Sequence, residues 1–347
     1  MIKRRIALLV TLLIALGGCY FVYTFYRVFF FQNTAFTNDA AYVFIPSNAT
    51  FEELRAELSP LLLSFEDFAL AAQKKGYATR IRGGKYRLKK GANNNEIINT
   101  LRSGSLSVRV TFNNMERLEN LAGRVAQQIE ADSLSLLTQM RSSAFLQAHD
   151  FTPANALAMY IPNTYSFYWN TSPEEFQQRM WKEYQRFWGA ERRAKAEALG
   201  LSPQEVICLA AIVQKETQQN SEKPVVAGVY LNRLKKRMRL QADPTVVFAL
   251  KQQKNDFDLI IRRVLKKDLK IDSPYNTYKY RGLPPGPISM PDVSSIDAVL
   301  DATVHRYLYF VANPQQPGFH LFSKTLREHN RKARSYYRYL NQRKLYR

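Results

Sequence analysis

Residues 6–26, IALLVTLLIALGGCYFVYTFY, carry no charge, and only Arg27 interrupts before Val28–Phe31. A helix needs about 20 apolar residues to cross a bilayer, so this run predicts a single transmembrane anchor over residues 6–31. Lys3, Arg4 and Arg5 precede it, and a basic flank tends to stay on the cytoplasmic side. Residues 1–5 are therefore expected in the cytoplasm and the rest of the chain outside the inner membrane. An alternative reading is a lipidation box, LGGC at 16–19, with Cys19 as the lipidated N-terminus. Against it, the residues after Cys19 stay aromatic and apolar as far as Phe31, where a polar tether would be needed.

The charge balance constrains the partner. The chain of 347 residues is long enough for about two domains. Its 50 Lys and Arg against 29 Asp and Glu give a net charge of +21. Such an excess favours an anionic partner: nucleic acid, an anionic membrane surface or an anionic polymer. The anchor argues against nucleic acid. Cys19 and Cys208 lie in the membrane run and in a greasy helix, so no disulfide framework is expected. His149, His305, His320 and His329 are scattered without metal-ligand spacing, and no Gly-rich phosphate loop occurs. Neither metal nor cofactor is predicted.

Patterning predicts an α+β fold in two extracytoplasmic parts. Residues 32–40 read as a polar linker. A small α+β module follows over 41–112: strands at 41–46, 84–91 and 105–112, and helices at 50–58, 64–76 and 93–104. From there to residue 347 a larger mixed α/β domain is expected. It should hold helices at 115–129, 132–149 and 172–200, an aromatic loop at 160–169, and an irregular Pro- and Tyr-rich stretch at 273–292. Strands at 307–313 and 319–323 and a basic helix from about Leu326 close the chain.

The segment LAAIVQKETQQN (209–220) raises the functional question. Ser202, Pro203 and Glu205 mark a helix start with a capping box. Residues 206–213 are apolar in every direction around the axis, the pattern of a core helix. Glu216 continues the Leu209–Val213 stripe into the last turn. Partial burial and the negative end of the helix dipole should both raise its pKa, and a carboxyl that keeps its proton near neutral pH suits a general acid. The alternative is that Glu216 frays into solvent with Lys215. Glu222, six positions on, does not share its helical face. The next helix, about 225–239, should bury a stripe of Ala227, Leu231, Leu234 and Met238, flanked by Asn232 and Arg233, with Lys235–Arg237 solvated. Asp243 is expected to cap a helix starting at Pro244, leaving Gln241 before the cap to face a ligand.

AAIVQKET (210–217), VVAGVYLNRLKKRMRLQADPTVVF (225–248), YNTYKYRGLPPGPI (275–288) and YLYFVAN with FHLFSKTLREHN (307–330) together resemble the YceG-like, or MltG-type, endolytic murein transglycosylases. Weaker likeness extends to 84–104 and 160–169, so it covers nearly the whole chain beyond the anchor. The resemblance implies an inner-membrane protein whose LysM-like module (41–112) precedes a catalytic domain (113–347). It implies cleavage of the β-1,4 bond between N-acetylmuramic acid and N-acetylglucosamine within glycan strands, leaving 1,6-anhydro ends. Peptidoglycan strands, the inner membrane and peptidoglycan synthases are the partners it implies. The family's catalytic glutamate falls on Glu216 and its second recurrent acid on Glu222, where Lys223 replaces the usual arginine.

The remaining blocks supply binding candidates. Tyr275, Asn276, Thr277 and Tyr278, with Pro284, Pro285 and Gly286, are expected to form a groove wall, since aromatic faces suit sugar rings. Asn232, Arg233, Gln241, Asp243, Thr245, Asn313 and His320 are further candidates, each equally open to a purely structural role. The rival functions are a hydrolase of the same glycan, a membrane-tethered glycan-binding protein without activity, and a nucleic-acid binder.

Overall fold

The computed structural model describes residues 2–261 and 263–342. Its first helix, α1 (Ile2–Phe30), is exposed along its apolar length and buries only Val28 and Phe29 at its C-terminal end. At 1.5 Å per residue it is about 43 Å long, enough to span a bilayer. Leu8, Leu16, Leu13, Ile14 and Val22 point in turn to all sides of the helix and are all exposed, which would be untenable in water and suits a membrane anchor.

The fold is α+β, and the chain divides into two compact units. The first holds the chain to Val110 with 128–131 and 165–172. Strands β1 (Ala40–Ile45) and β2 (Gly84–Lys89) pair antiparallel, Ala40 opposite Lys89 and Ile45 opposite Gly84. Helices α2 (Phe51–Leu58), α3 (Phe65–Lys74) and α4 (Asn94–Arg102) cover the ribbon, each started by a side-chain cap from Thr50, Ser64 and Asn93. Val43, Ile45, Leu54, Phe68, Leu88 and Ile97 form the core. The stretch expected as a linker is partly tied down. Asn33 and Thr34 are buried, and Asn33 Nδ2 donates to the Ser64 carbonyl at 2.8 Å and to Asn94 Oδ1 at 2.7 Å. Polar residues that read as a tether instead satisfy helix ends.

β3 (Ser107–Phe112) pairs with β4 (Asn163–Tyr168). The latter corrects the loop expected at 160–169: Tyr165 and Phe167 are buried while their neighbours are not, a strand alternation masked by Pro162. The second unit carries the remaining described residues. Its early helices are α5 (Leu118–Ala126), α6 (Ser133–Met140) and α7 (Ser143–Ala148). The single helix expected at 132–149 is split because Ser142 caps a new start. The one expected at 172–200 is likewise two, α8 (Pro173–Phe187) and α9 (Ala190–Leu199), since Gly189 begins a second helix that Gly200 ends at φ 71°.

Then come α10 (Pro203–Glu216), α11 (Lys223–Lys235), α12 (Asp243–Lys254) and α13 (Val293–Leu300), the last not anticipated from sequence. A hairpin of β5 (Tyr309–Ala312) and β6 (His320–Ser323), with Ala312 opposite His320, precedes α14 (Leu326–Gln342). The stretch 273–292 has no regular structure, as expected. At the centre lies α10, with α11, α12 and α13 packed around it.

Candidate active site

The sequence of α10 explains where its last residue goes. Ser202 and Glu205 exchange hydrogen bonds in a capping box, and Pro203 sits where no amide donor is needed. From Val206 to Val213 every side chain is buried, so the axis runs through the core. The helix ends at Glu216, and Thr217 turns extended. Glu216 therefore emerges at the floor of a cleft of about 400 Å³. One edge of its side chain reaches the cleft while protein surrounds the rest, which accounts for its being half-buried by surface.

Glu216 keeps its proton to higher pH than an ordinary carboxyl. Burial pushes its pKa from 4.5 up to about 7; a hydrogen bond from Tyr230 pulls it back, the negative charge of Asp243 raises it, and Arg233 lowers it. Tyr230 Oη donates to Glu216 Oε1 at 2.8 Å. Sequence reasoning anticipated the burial but neither Tyr230 nor the contribution of Asp243. Tyr230 was missed because α11 buries almost its whole circumference from Val226 to Leu231, so the assumed stripe had the wrong centre: Leu234 and Met238 are only half-buried. Lys235–Arg237 are exposed, as expected.

Arg233 lies one turn beyond Tyr230 and is itself buried. Its Nε donates to the Leu308 carbonyl at 2.6 Å and its Nη1 to that of Leu240 at 2.7 Å, with the guanidinium 5.2 Å over the Tyr309 ring. Its charge is thus fixed near the Glu216–Tyr230 pair by backbone oxygens rather than by a carboxylate.

The wall opposite is α12. Asp243 is not the cap but the first helical residue, Ala242 taking the cap position. The start of α12 is held instead by a threonine pair: Thr245 Oγ1 donates to the Ala242 carbonyl at 2.7 Å and lies 2.8 Å from Thr277 Oγ1, which accepts from the Ala242 amide at 3.0 Å. That arrangement leaves the Asp243 carboxylate exposed at the cleft, where it accepts from Tyr278 Oη at 2.6 Å. Gln241 adopts a left-handed backbone (φ 52°) and its amide donates to the Thr277 carbonyl. Val247, Phe248 and Lys251 continue the wall, and Arg263 and Ile288 add to it. Across the cleft, Glu116 accepts from Lys215 Nζ at 3.1 Å and Lys251 Nζ at 2.9 Å. Burial opposes its ionisation, yet the bonds from the two lysines outweigh that and hold the carboxyl below its usual range. No sequence pattern marked Glu116, which lies 100 residues before Glu216.

Several expected groove residues face inward. Tyr275, Asn276, Thr277, Pro284 and Gly286 are buried. Asn276 Nδ2 donates to the Leu269 and Ile271 carbonyls, and Tyr275 packs behind Phe248 with ring centroids 4.7 Å apart. The Cys208 thiol donates to the Pro284 and Gly286 carbonyls, locking the loop to α10. These residues back the wall rather than form its surface, since a Pro-rich loop without secondary structure must bury its polar backbone against something. Tyr278 is half-buried and Pro285 exposed.

Four more candidates lie outside the cleft lining. Asn232 Nδ2 donates to the carbonyls of His305 and Tyr307. Asn313 Oδ1 accepts from the Gln315 amide in the hairpin turn. Glu222 accepts from the His320 amide at 2.7 Å and lies 2.9 Å from His320 Nδ1, while Thr217 Oγ1 donates to it at 3.4 Å. Glu222 and His320 therefore fasten the residue after Glu216 to β6.

The model of the YceG-like family matches residues 43–335. A protein of Bacillus subtilis strain 168 named endolytic murein transglycosylase is 30% identical over 311 residues, covering 84% of this chain and 83% of its own length. One of the same name from Streptococcus pneumoniae serotype 2 strain D39 is 26% identical, covering 89% of this chain; the match spans only 60% of the streptococcal protein. A crystal structure of a YceG-like protein from Listeria monocytogenes superposes with a TM-score of 0.55 at 29% identity, over 85% of this chain and 99% of that one. A match that takes in the cleft, its helices and most of both units leaves one assignment: the chain belongs to the YceG-like family.

Proposed function

We propose that the protein is a membrane-anchored endolytic murein transglycosylase that cleaves the MurNAc-β-1,4-GlcNAc bond within glycan strands and leaves 1,6-anhydro-MurNAc ends. The observation that carries this reading is Glu216, a carboxyl half in protein and half in a cleft, whose proton is held to about pH 7. Protonated Glu216 gives its hydrogen to the leaving glycosidic oxygen. The carboxylate left behind then takes the proton of the sugar's own 6-hydroxyl as that oxygen attacks the anomeric carbon. Because nucleophile and electrophile belong to one ring, no water need be positioned. Tyr230 fixes one carboxyl oxygen in both states. Asp243, negative and in the same cleft, suits the positive charge that develops on the ring.

The anchor orientation rests on Lys3, Arg4 and Arg5 in the first turn of α1, before its apolar run: N-terminus in the cytoplasm, both units outside the inner membrane. In this reading the first unit is a LysM-like glycan-binding module, the second unit carries the catalysis, and peptidoglycan synthases are the partners whose nascent strands it ends or trims. The names of the Bacillus and streptococcal relatives support the substrate.

Asp243 also favours a second reading. Beside Glu116, which two lysines hold, the cleft presents two carboxyls without a lysine partner, Glu216 and Asp243, and such a pair is the equipment of a hydrolase. Digesting purified sacculi with wild type and Glu216→Gln and weighing the products separates the readings. Transglycosylation gives fragments lighter by one water, and the variant gives none. Fragments with ordinary reducing ends would mean hydrolysis, and release by the variant would remove Glu216 from the chemistry.

A further inference from the structure

The basic C-terminal helix takes no part in that chemistry, yet its charges are sorted. One side of α14 packs on the β5–β6 hairpin. There His329 stacks on Tyr309 with centroids 5.4 Å apart, and Lys332 Nζ donates to the Phe322 carbonyl at 2.6 Å while pairing with Glu328 at 2.7 Å. Arg327, Arg331, Arg334 and Arg338 follow one another at spacings of four, three and four. At 3.6 residues per turn they fall within an arc of about 60°, roughly opposite His329, Ala333 and Tyr336, and form a line about 16 Å long. All four are exposed. The one carboxylate of the described helix, Glu328, is held by Lys332, and none of the four arginines has an ion pair among the described residues.

Such a stripe selects its ligand by shape as well as charge. Guanidinium groups pair with phosphate through two parallel hydrogen bonds. His329, Ala333 and Tyr336 are half-buried on the side away from the arginines, so contact through the arginine face would be by charge and not insertion. A straight line of guanidiniums suits a plane of phosphates, the chemistry that the headgroup layer around α1 supplies. We propose that the arginine face of α14 docks on the anionic phospholipid surface of the membrane that holds α1, keeping the second unit at the headgroup layer. The proposal rests on the anchor reading, because tethering raises the local lipid concentration enough for a weak contact to count.

The test uses the full chain reconstituted in vesicles of phosphatidylcholine alone or mixed with phosphatidylglycerol. Ser335→Cys in a Cys19→Ser background carries a fluorophore, and a headgroup-labelled lipid is the acceptor. Energy transfer should be higher in the phosphatidylglycerol vesicles and fall with added salt. It should drop to the phosphatidylcholine level when the four arginines become glutamine, a loss in docking on the order of tenfold or more. Equal transfer in both vesicles, or no effect of the four substitutions, overturns the proposal. So does transfer that only purified glycan strands can abolish in the absence of salt effects, which would assign the stripe to the glycan. Flotation with phosphatidylcholine vesicles reads the anchor separately, so its failure is told apart from failure of the arginine face.

Discussion

Tyr230 donates its hydroxyl hydrogen to the Glu216 carboxyl at 2.8 Å from inside a helix it helps to bury. The bond stabilises the ionised carboxylate more than the acid and so lowers the Glu216 pKa, against the larger effect of burial. Tyr230→Phe keeps the packing and deletes the bond. The alkaline limb of the pH–rate profile should then move up by roughly half to one pH unit, with a lower kcat from looser aim. Initial rates of anhydro-end formation across pH would show it; an unmoved limb would mean the bond is absent in the working enzyme.

Asp243 should act in the opposite direction. Its charge raises the Glu216 pKa, so Asp243→Asn should shift the same limb down, leaving less of the acid protonated at neutral pH. The variant would also remove negative charge facing the cleft, so kcat should fall further than protonation alone explains. A profile that moves up, or kcat lowered in proportion to protonation only, would contradict that electrostatic role.

Glu216 also burdens the fold. Its carboxyl has an ordinary value of 4.5 and is about 7 in the folded chain. Below about 4.5 both folded and unfolded states hold the proton and no penalty exists. As pH rises from there toward 7 the unfolded chain ionises first and stability drains away; above 7 the loss is complete, at most about 3 kcal/mol. Glu216→Gln has no such proton and still accepts from Tyr230. It should melt higher than wild type near pH 8 and almost equally below about pH 4, a difference that calorimetry at the two pH values measures.

Glu222 differs in kind from Glu216. It accepts from the His320 amide and from Thr217, and pairs with the His320 ring. Glu222→Ala strands buried donors and should destabilise the chain by roughly 2–4 kcal/mol, with activity lost through the displaced end of α10. Glu222→Gln keeps an acceptor and should retain more stability and part of the kcat. If Glu222→Gln were as inactive as Glu216→Gln while equally stable to wild type, Glu222 would belong to the chemistry instead.

What the sequence revealed, and what it hid, has a physical basis. Helix starts were readable because caps are local: Thr50, Asn93 and Ser202 all act on residues within one turn. The burial of α10 was readable because an all-round apolar run allows no other placement. The groove wall was misassigned because aromatic and proline density says that a loop is stiff but not which way its rings turn; Tyr275 turned inward behind Phe248. Tyr230, Glu116 and Lys251 were missed because their partners lie 14 to 135 residues away, and no periodicity encodes such a meeting.

The stiff loop itself offers the last prediction. A Cβ on Gly286 would lie 1.9 Å from the Ala154 carbonyl oxygen and 2.6 Å from its carbon, so backbone must move against backbone. The same loop receives the Cys208 thiol bonds and supplies Ile288 to the cleft. Gly286→Ala should therefore destabilise by roughly 1–3 kcal/mol and also raise KM. Gly282 gives a contrast: nothing lies within 4 Å of its added Cβ, but its φ is +85°, so Gly282→Ala should cost about 1–2 kcal/mol through backbone strain alone, with KM little changed. Gly104, with open space and no positive φ, serves as the neutral control. Denaturant melts and KM values on the three variants separate steric from conformational cost. Equal KM for Gly286→Ala and Gly104→Ala would mean that the loop does not shape the cleft.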